Sequence, residues 1–445
     1  MGAYLEILKL SWPLALGMVN NALLQFTDRA FLAQESMASL EAVLPASMLA
    51  YIALGFFQSV VAYSGTFVAQ FHGAGNMDMC RRSYHAGTWI AVVSGVLMIA
   101  ALPLGGLVFE TFSNGAEVIA RQKTYYDICT TGGVFLFGQM AAQAYFTGLG
   151  KTRIVLWVNI IGNVLNVALD PILIFGWCGV PRLGIAGAAY ATVFATAVQW
   201  LILAVAVHRS FQTSKHPNFQ TSKPSEHLVL RILRYGIPSG AYSVLNSLSF
   251  TIFVFFTGGV GHVEAAVSNA AFSVCYLLFA PMEGFALGAQ TLVGQARGRG
   301  DDAEAMRAGL RTVAIGAAFA AIASVLVVVF RRPILAIYAP ADAADAARFL
   351  ETGSMLFFLM GTWQVFDAAD VIFSGALKGA GDTKFVMWWM LVCGILFWIP
   401  LAWVVSRVHN TMPALWSTMI AYVVVICVGS LIRWRRGKWK EIRLV

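Results

Sequence analysis

The sequence has few charged residues. Asp, Glu, Lys and Arg make up 12% of its 445 residues, whereas hydrophobic residues make up 59% and the mean hydropathy is +0.72. Soluble globular chains carry roughly 25% charged residues. This shortage excludes an ordinary water-soluble fold, because most of the surface of the chain must face an apolar medium.

The sequence also lacks the motifs of several function classes. Its six cysteines are scattered without a CxxC pair or a Cys/His cluster, so neither a metal centre nor a disulfide framework is predicted. No complete Walker phosphate-loop pattern is present, which argues against ATP-driven pumping. The basic residues are dispersed through short loops, and the seven histidines form no catalytic pattern. We therefore expect no cofactor, no nucleic-acid partner and no enzymatic activity.

Long uncharged segments are what the sequence has in abundance. A membrane-crossing helix needs about 20 apolar residues. Five clean segments have about that length: 83–109, 183–207, 312–330, 385–406 and 410–432. Seven less clean segments complete the set: 8–32, 43–70, 117–147, 152–176, 229–257, 265–295 and 344–374. The sequence thus predicts an all-α integral membrane protein with twelve transmembrane helices.

The predicted spans divide the chain into two lobes of six helices each. The N-lobe is predicted at 1–207 and the C-lobe at 229–432, joined by the polar linker 208–228 and followed by the basic tail 433–445. Most of the 30 Lys and Arg then fall on the side of the termini, which predicts cytoplasmic N- and C-termini in a multi-pass plasma (inner) membrane protein. The tail mixes Arg and Lys with Trp and is interpreted as a membrane-surface anchor.

An internal repeat connects the two predicted lobes. Residues 67–75 read FVAQFHGAG and residues 292–300 read LVGQARGRG, and the same offset brings Pro13 onto Pro238. Because six spans precede the linker, both halves begin on the same side, so the repeats are parallel ones related by an axis along the membrane normal. Two related halves in an apolar chain are typical of a secondary transporter that holds its cargo where they meet.

Polar residues within the predicted spans are the candidate functional residues, because an ionised side chain in the middle of a membrane needs a compensating reason. On the first helix, Asn21, Gln25 and Asp28 share one face. The carboxylate of Asp28 is a candidate to bind a proton or a hard cation. The structural alternative is a buried acid paired with Arg29 or bound to a helix end.

The predicted fifth helix repeats this arrangement. Asn163, Asn166 and Asp170 lie on one face, and they provide a carboxylate with amides close by. Thr192 in the sixth helix and Tyr125 in the fourth offer hydroxyl groups. For Asp170 the structural alternative is a helix kink at the proline that follows it. For Asn163, Thr192 and Tyr125 it is hydrogen bonding between helices.

A second candidate group lies in the C-lobe. Gln364, Asp367 and Asp370 share a face of the tenth helix, Glu283 lies in the eighth, and Asn246 lies in the seventh. The two aspartates are close enough that both ionising together is unfavourable, so one is expected to hold a proton or to share a cation. The alternative for Asp370 is a plain charge facing an aqueous cavity.

Several motifs resemble one transporter family, and they are spread over the whole chain. They are the doubled VAQ and VGQ loops, GLGKT at 148–152, GALKGAGDT at 375–383 and NVALDPILIFG at 166–176. In these residues the chain resembles the multidrug and toxic compound extrusion (MATE) transporters. The resemblance implies two six-helix lobes around a V-shaped central cleft and export of mostly cationic drugs or metabolites, driven by an H⁺ or Na⁺ gradient.

The resemblance also implies an ion-coupling site in the N-lobe. The family's acidic, amide and hydroxyl positions correspond here to Asp28, Asn166, Asp170 and Thr192, and its fourth-helix tyrosine corresponds to Tyr125. This match is complete and favours the branch that resembles the DNA-damage-inducible transporters.

A cation site in the C-lobe is implied less completely. The family's tenth-helix aspartate corresponds to Asp367, but Asn246 stands where one branch has a seventh-helix glutamate. Glu283 or Asp370 would have to substitute for it. No metal is expected beyond Na⁺ at these carboxylates.

The sequence therefore predicts an antiporter that exports organic cations or drugs in exchange for H⁺ or Na⁺ by alternating access. The expected partners are small organic cations and membrane lipids, and the chain is expected to function as a monomer. The alternatives are a lipid-linked oligosaccharide flippase of related architecture, which needs a basic cavity, and a membrane-embedded enzyme.

Overall fold

The structure, a computed structural model, describes residues 2–112, 115–212, 226–339 and 342–445. Over these ranges the chain forms helices and no β-strand, which confirms the predicted all-α fold. The α-helices of the described ranges, in chain order, are α1 (Gly2–Glu35), α2 (Met37–Ala62), α3 (Ser64–Gly73), α4 (Met77–Ala100), α5 (Leu102–Phe112), α6 (Ala116–Thr131), α7 (Gly133–Gly148), α8 (Thr152–Phe175), α9 (Ile185–Gln212), α10 (Glu226–Gly258), α11 (His262–Gly298), α12 (Asp302–Val329), α13 (Arg331–Ala336), α14 (Ala343–Ala380), α15 (Thr383–Met390), α16 (Ile399–Val408) and α17 (Met412–Arg436). A π-helical segment at Leu391–Trp398 connects α15 to α16, and short 3-10 segments lie at Trp177–Gly179 and Lys438–Glu441.

Within the described ranges, 11 helical segments are long and apolar enough to cross a membrane. The remaining predicted span, 117–147, is divided into α6 and α7, which have 16 residues each and are individually shorter than the roughly 20 residues needed. The break lies at Gly132, where an added Cβ would be 2.3 Å from a methyl carbon of Val193 in α9. A close approach to α9 thus accompanies the break, and α6 and α7 together correspond to the predicted fourth span.

The chain forms two compact units whose boundaries differ from the predicted lobes. One unit contains Met1–Ala15 and Ala241–Arg443, and the other contains Leu16–Gly240 and Leu444–Val445. The division therefore falls inside α1 and α10 rather than at the linker.

Proline explains where these two helices divide. Pro13 in α1 and Pro238 in α10 each remove one helical hydrogen bond just before the boundary. The first part of α1 packs in the C-terminal unit, where Leu10 and Leu14 join Leu292 in one apolar cluster. Each unit thus contains the leading segment of a helix whose remainder belongs to the other unit.

The predicted linker and tail also differ from expectation where the structure describes them. Of the linker 208–228, residues 213–225 lie outside the described residues, and α9 and α10 extend into its two ends. The tail is folded: Trp434 and Trp439 are fully buried and stack with ring centroids 4.5 Å apart. Gly437, with a φ of +71°, reverses the chain between them. Both indoles thereby enter an apolar core, so the tail is not a free membrane-surface anchor.

An ionic cluster holds the end of α1 beyond its apolar part. Arg121 of α6 donates to Glu35 Oε2 at 3.3 Å and to Ser39 Oγ at 2.6 Å, and Arg182 donates to Glu35 Oε1 at 3.2 Å. Burial acts to raise the pKa of Glu35, but hydrogen bonds with Ser39 and Ser36 and the two guanidinium groups outweigh it and lower that pKa below its ordinary value. The ionised cluster therefore ties α1 to α6 and to the segment before α9.

Candidate functional site

A polar face lies on α8, a helix that is otherwise mostly apolar. Asn163, Asn166 and Asp170 on this face are 7%, 1% and 0% exposed, so all three side chains are enclosed by protein. They share the face because side chains three and four positions apart in a helix lie above one another. A carboxylate with no access to water depends entirely on its neighbours for stabilisation.

Asp28 of α1 reaches the same place. The side chains of Asp28 and Asp170 lie within hydrogen-bonding range of each other, so the structure brings the two predicted acids together. Asn166 bridges α1 and α9: its Nδ2 donates to Asp28 Oδ1 at 3.0 Å, and its Oδ1 accepts from the backbone N–H of Thr192 at 3.1 Å. This carboxamide orientation is assigned because the opposite one sets the amide oxygen against the carboxylate.

The remaining predicted N-lobe residues surround this pair. Asn163 Nδ2 donates to Asn21 Oδ1 at 3.1 Å, which links α8 to α1 a second time. The Tyr125 hydroxyl lies beside the Cys129 thiol and within electrostatic range of both carboxylates. Cys129 was not predicted, although its position one turn after Tyr125 on α6 was a signal that could have identified it. Arg29, the alternative partner of Asp28, has a side chain outside those that the structure describes.

The chemistry of this site follows from two acids in contact. Two ionised carboxylates at this separation repel each other strongly away from water. A shared proton removes the repulsion, and so does a small cation held by carboxylate, amide and hydroxyl oxygens. Oδ1 of Asp170 has no hydrogen-bond partner among the described residues, so one acceptor remains available for such an ion. The arrangement can therefore take up and release one positive charge.

The predicted C-lobe residues are brought together only in part. Asp370 is 4% exposed and accepts a hydrogen bond from Ser430 Oγ at 2.7 Å. Asp367, one turn earlier on α14, lies within electrostatic range of Asp370 and of Glu283 on α11. Asn246 of α10 is half-buried, and in the part of the chain that the structure describes no hydrogen bond joins it to these acids. Among the described residues, Asn246 is thus not joined to the acids by a demonstrated hydrogen bond.

The structure adds a lysine to this acidic group that the sequence reasoning assigned to a loop. Lys378 lies in the last turn of α14, with Nζ 3.9 Å from the ring centroid of Tyr242 on α10. Its ammonium group is within electrostatic range of Glu283 and Asp370. The signal in the sequence was helical spacing, because Lys378 follows Asp367 by about three turns and shares its face. Counting the lysine as a loop charge hid that relation.

The chain was compared with known proteins. A family model described as MatE matches the chain twice, at residues 13–172 and 238–404, and the paired matches confirm the predicted internal repeat. A protein of Bradyrhizobium diazoefficiens, described as "Probable multidrug resistance protein NorM", is 25% identical over 91% of this chain and 86% of its own length. A protein of Thermotoga maritima with the same description is 25% identical over 98% of this chain and 93% of its own length.

Solved structures share the fold. A crystal structure of MATE in the straight conformation gives a TM-score of 0.88 at 18% sequence identity and covers 99% of this chain and 97% of that chain. A multidrug resistance MATE family transporter of the MOP superfamily, in an outward-facing conformation, gives a TM-score of 0.88 at 17% identity with the same coverage. At these identities the likeness confirms the predicted fold, that of a multi-pass membrane protein.

Proposed function

Because the chain belongs to the MatE family, we propose that it is a secondary active antiporter that exports small organic cations or drugs in exchange for H⁺ or Na⁺. The names of the Bradyrhizobium and Thermotoga relatives support a drug-like cargo. Acids within the spans favour cationic over anionic cargo, since opposite charges attract strongly where water is excluded. The chain acts as a transporter and not as an enzyme.

The observation that carries the proposal is the contact between Asp28 and Asp170 inside the N-terminal half. The pair takes up one proton or one Na⁺ from the outer side, which removes the repulsion between the carboxylates. Because Asn166 connects Asp28 on α1 to Thr192 on α9, a change of charge at the pair changes the hydrogen bonds that hold α1. The ion thereby stabilises one conformation over the other, as an antiporter requires.

The protein is proposed to lie in the plasma (inner) membrane with both termini in the cytoplasm. The excess of Lys and Arg on the side of the termini supports this orientation. We propose that the monomer is the functional unit and that lipids and cargo are its partners. Assignment to the branch that resembles the DNA-damage-inducible transporters rests on the match at Asp28, Asn166, Asp170 and Thr192 and stays a prediction.

The test is transport into proteoliposomes with a pH gradient and a Na⁺ gradient imposed separately. Purified protein is reconstituted, and movement of a fluorescent organic cation such as ethidium is followed. We expect one of the two gradients to drive accumulation, and Asp28→Asn to abolish gradient-driven accumulation while leaving reconstitution normal. Transport that is driven by neither the pH gradient nor the Na⁺ gradient would contradict the proposal.

The matched control changes an acid of the same unit that lies outside the pair. Asp127 of α6 is exposed, so Asp127→Asn removes the same charge without touching the pair. Its accumulation is expected to equal that of the wild type. If Asp28→Asn also transports like the wild type at equal protein density, Asp28 carries no coupling and the mechanism is wrong.

A further inference from the structure

We propose that Lys378 is the resident cation of the C-terminal half, with its ammonium group over Tyr242 occupying the place beside Glu283 and Asp370 that a free Na⁺ would take. The inference rests on the proposed function, because it assigns ion exchange to the N-terminal pair alone. Lys378 then determines which half of the protein can bind a coupling ion.

The position of the ammonium group is the first support. Nζ of Lys378 lies 3.9 Å from the ring centroid of Tyr242, well within the range of about 6 Å in which an aromatic face attracts a cation. Tyr242 precedes Asn246 by one turn on α10. The α10 helix therefore offers an aromatic face together with an uncharged amide, and the positive charge that this face attracts comes from α14.

The charges around the ammonium group are the second support. Glu283 and Asp370 are both within electrostatic range of Lys378, and no other cationic side chain among the described residues has been found to stabilise either acid. Ser430 donates a neutral hydrogen bond to Asp370, which leaves the ammonium group as the charge partner of that acid. Removing the lysine would leave these acids without a cation.

The attachment of the lysine to the same helix is the third support. Lys378 and Asp370 both belong to α14, so the ammonium group is always present at the site and loses little freedom on binding there. A free Na⁺ has to displace it. Gln364 shares this face, is 1% exposed, and neither of its amide atoms has a hydrogen-bond partner among the described residues. The amide oxygen of Gln364 is thus an acceptor that an incoming cation could use.

The test measures Na⁺ binding after the N-terminal site has been silenced. Every protein carries Asp28→Asn, and unfolding in detergent is followed by tryptophan fluorescence in NaCl or in choline chloride at equal ionic strength. With Lys378 present, the melting temperature is expected to be the same in both salts. With Lys378→Met, we expect the melting temperature to rise with Na⁺ concentration until it saturates, since bound ligand stabilises the folded state. The apparent Na⁺ dissociation constant of this variant is expected to be at least about tenfold lower than that of the protein with Lys378.

Four further variants make the result specific. Lys384→Met removes an exposed lysine of α15 and is expected to match the parent. Lys378→Arg keeps the positive charge and is expected to stay indifferent to Na⁺. Adding Asp370→Asn to Lys378→Met is expected to remove the Na⁺ effect. Lys378→Gln is measured beside the methionine variant, so that poor folding of one neutral variant leaves the other to decide.

Two outcomes would overturn the proposal. One is that folded Lys378→Met and Lys378→Gln melt at the same temperature in Na⁺ and in choline. The other is that the parent protein, with Lys378 intact, already binds Na⁺ through Asp370. Neither outcome depends on a gradient or on cargo. Failure here is thus distinguishable from failure of the antiport experiment, which measures transport and relies on Asp28.

Discussion

Replacing Asp170 by asparagine is expected to stabilise the folded protein while removing ion coupling. The side chain is 0% exposed, and one of its oxygens has no hydrogen-bond partner among the described residues. An unsatisfied buried polar group costs about 1–3 kcal/mol, and more when it is charged. Asn has nearly the same shape, carries no charge, and can donate its amide N–H to Asp28. The substitution therefore converts a repulsive contact into a hydrogen bond.

The size of the effect depends on pH in a defined direction. At alkaline pH the wild-type pair tends to be doubly charged, and we expect Asp170→Asn to be more stable by about 1–3 kcal/mol. As the pH falls, the wild-type pair binds a proton and the repulsion between the carboxylates disappears. The difference in stability between Asp170→Asn and the wild type therefore falls towards zero. For a folded unit of this size, 1 kcal/mol corresponds to a shift of about 2–4 °C in melting temperature.

The assay is thermal unfolding in detergent, followed by the fluorescence of the 13 tryptophans across a pH series. The control is Asp78→Asn, because the Asp78 side chain is 64% exposed and forms a salt bridge with Arg82 one turn away on the same helix surface. Such surface changes usually stay within about 0.5 kcal/mol. A variant of Asp170 that melts at or below the wild type at every pH would refute the reasoning, since it would mean that the buried pair carries no repulsion.

Three further predictions concern packing and the end of α1. Gly187→Ala places a Cβ 2.5 Å from a backbone oxygen of α8 and is expected to destabilise by about 1–3 kcal/mol, whereas Gly55→Ala meets nothing within 4 Å and is expected to be neutral or stabilising in thermal unfolding. Because its partners lower the pKa of Glu35, the ionic cluster contributes stability above the ordinary carboxyl pKa, and this stability is lost as the pH falls through the lowered pKa. Glu35→Gln is therefore expected to flatten that part of the curve of stability against pH. A curve that is unchanged by the substitution would contradict this prediction. Trp439→Ala is expected to cost about 3–5 kcal/mol, because the indole is fully buried, and Trp403→Ala, at a residue 51% exposed, is expected to cost far less; equal losses in denaturation would speak against a packed C-terminal segment.

The features that sequence predicted well are those with a short period. Uncharged runs of helical length identified the spans, and the spacing of Asn163, Asn166 and Asp170 placed all three on one buried face of α8. The sequence also identified Asp28 on α1 as a candidate functional acid, since few carboxylates lie within the predicted spans. In each case the physical signal, hydrophobicity or a turn of 3.6 residues, is local to the segment that carries it.

What sequence did not predict depends on contacts between distant segments. Nothing near Lys378 indicated that its ammonium group lies over Tyr242, because the two residues belong to different helices. The packing of the C-terminal segment was missed for the same reason. The sequence around Trp439 suggested a membrane anchor, but in the structure Trp439 stacks on Trp434 within an apolar core. The break at Gly132 also required knowledge of Val193 on α9. Pairings of this kind have no periodic signature in one chain.

The two halves, which match the same family model, differ in the charges around their acids. In the N-terminal half, Asp28 and Asp170 lie in contact and Asn166 donates to Asp28, so uptake of a positive charge would remove the repulsion between the two acids. In the C-terminal half, Lys378 lies within electrostatic range of Glu283 and Asp370, so the chain itself supplies one positive charge to these acids. An exchange cycle needs one site whose occupancy differs between conformations, and a second site with a variable charge would need its own ion in every cycle. Placing a lysine among the acids of one half is therefore a direct way for a duplicated fold to keep a single coupling site.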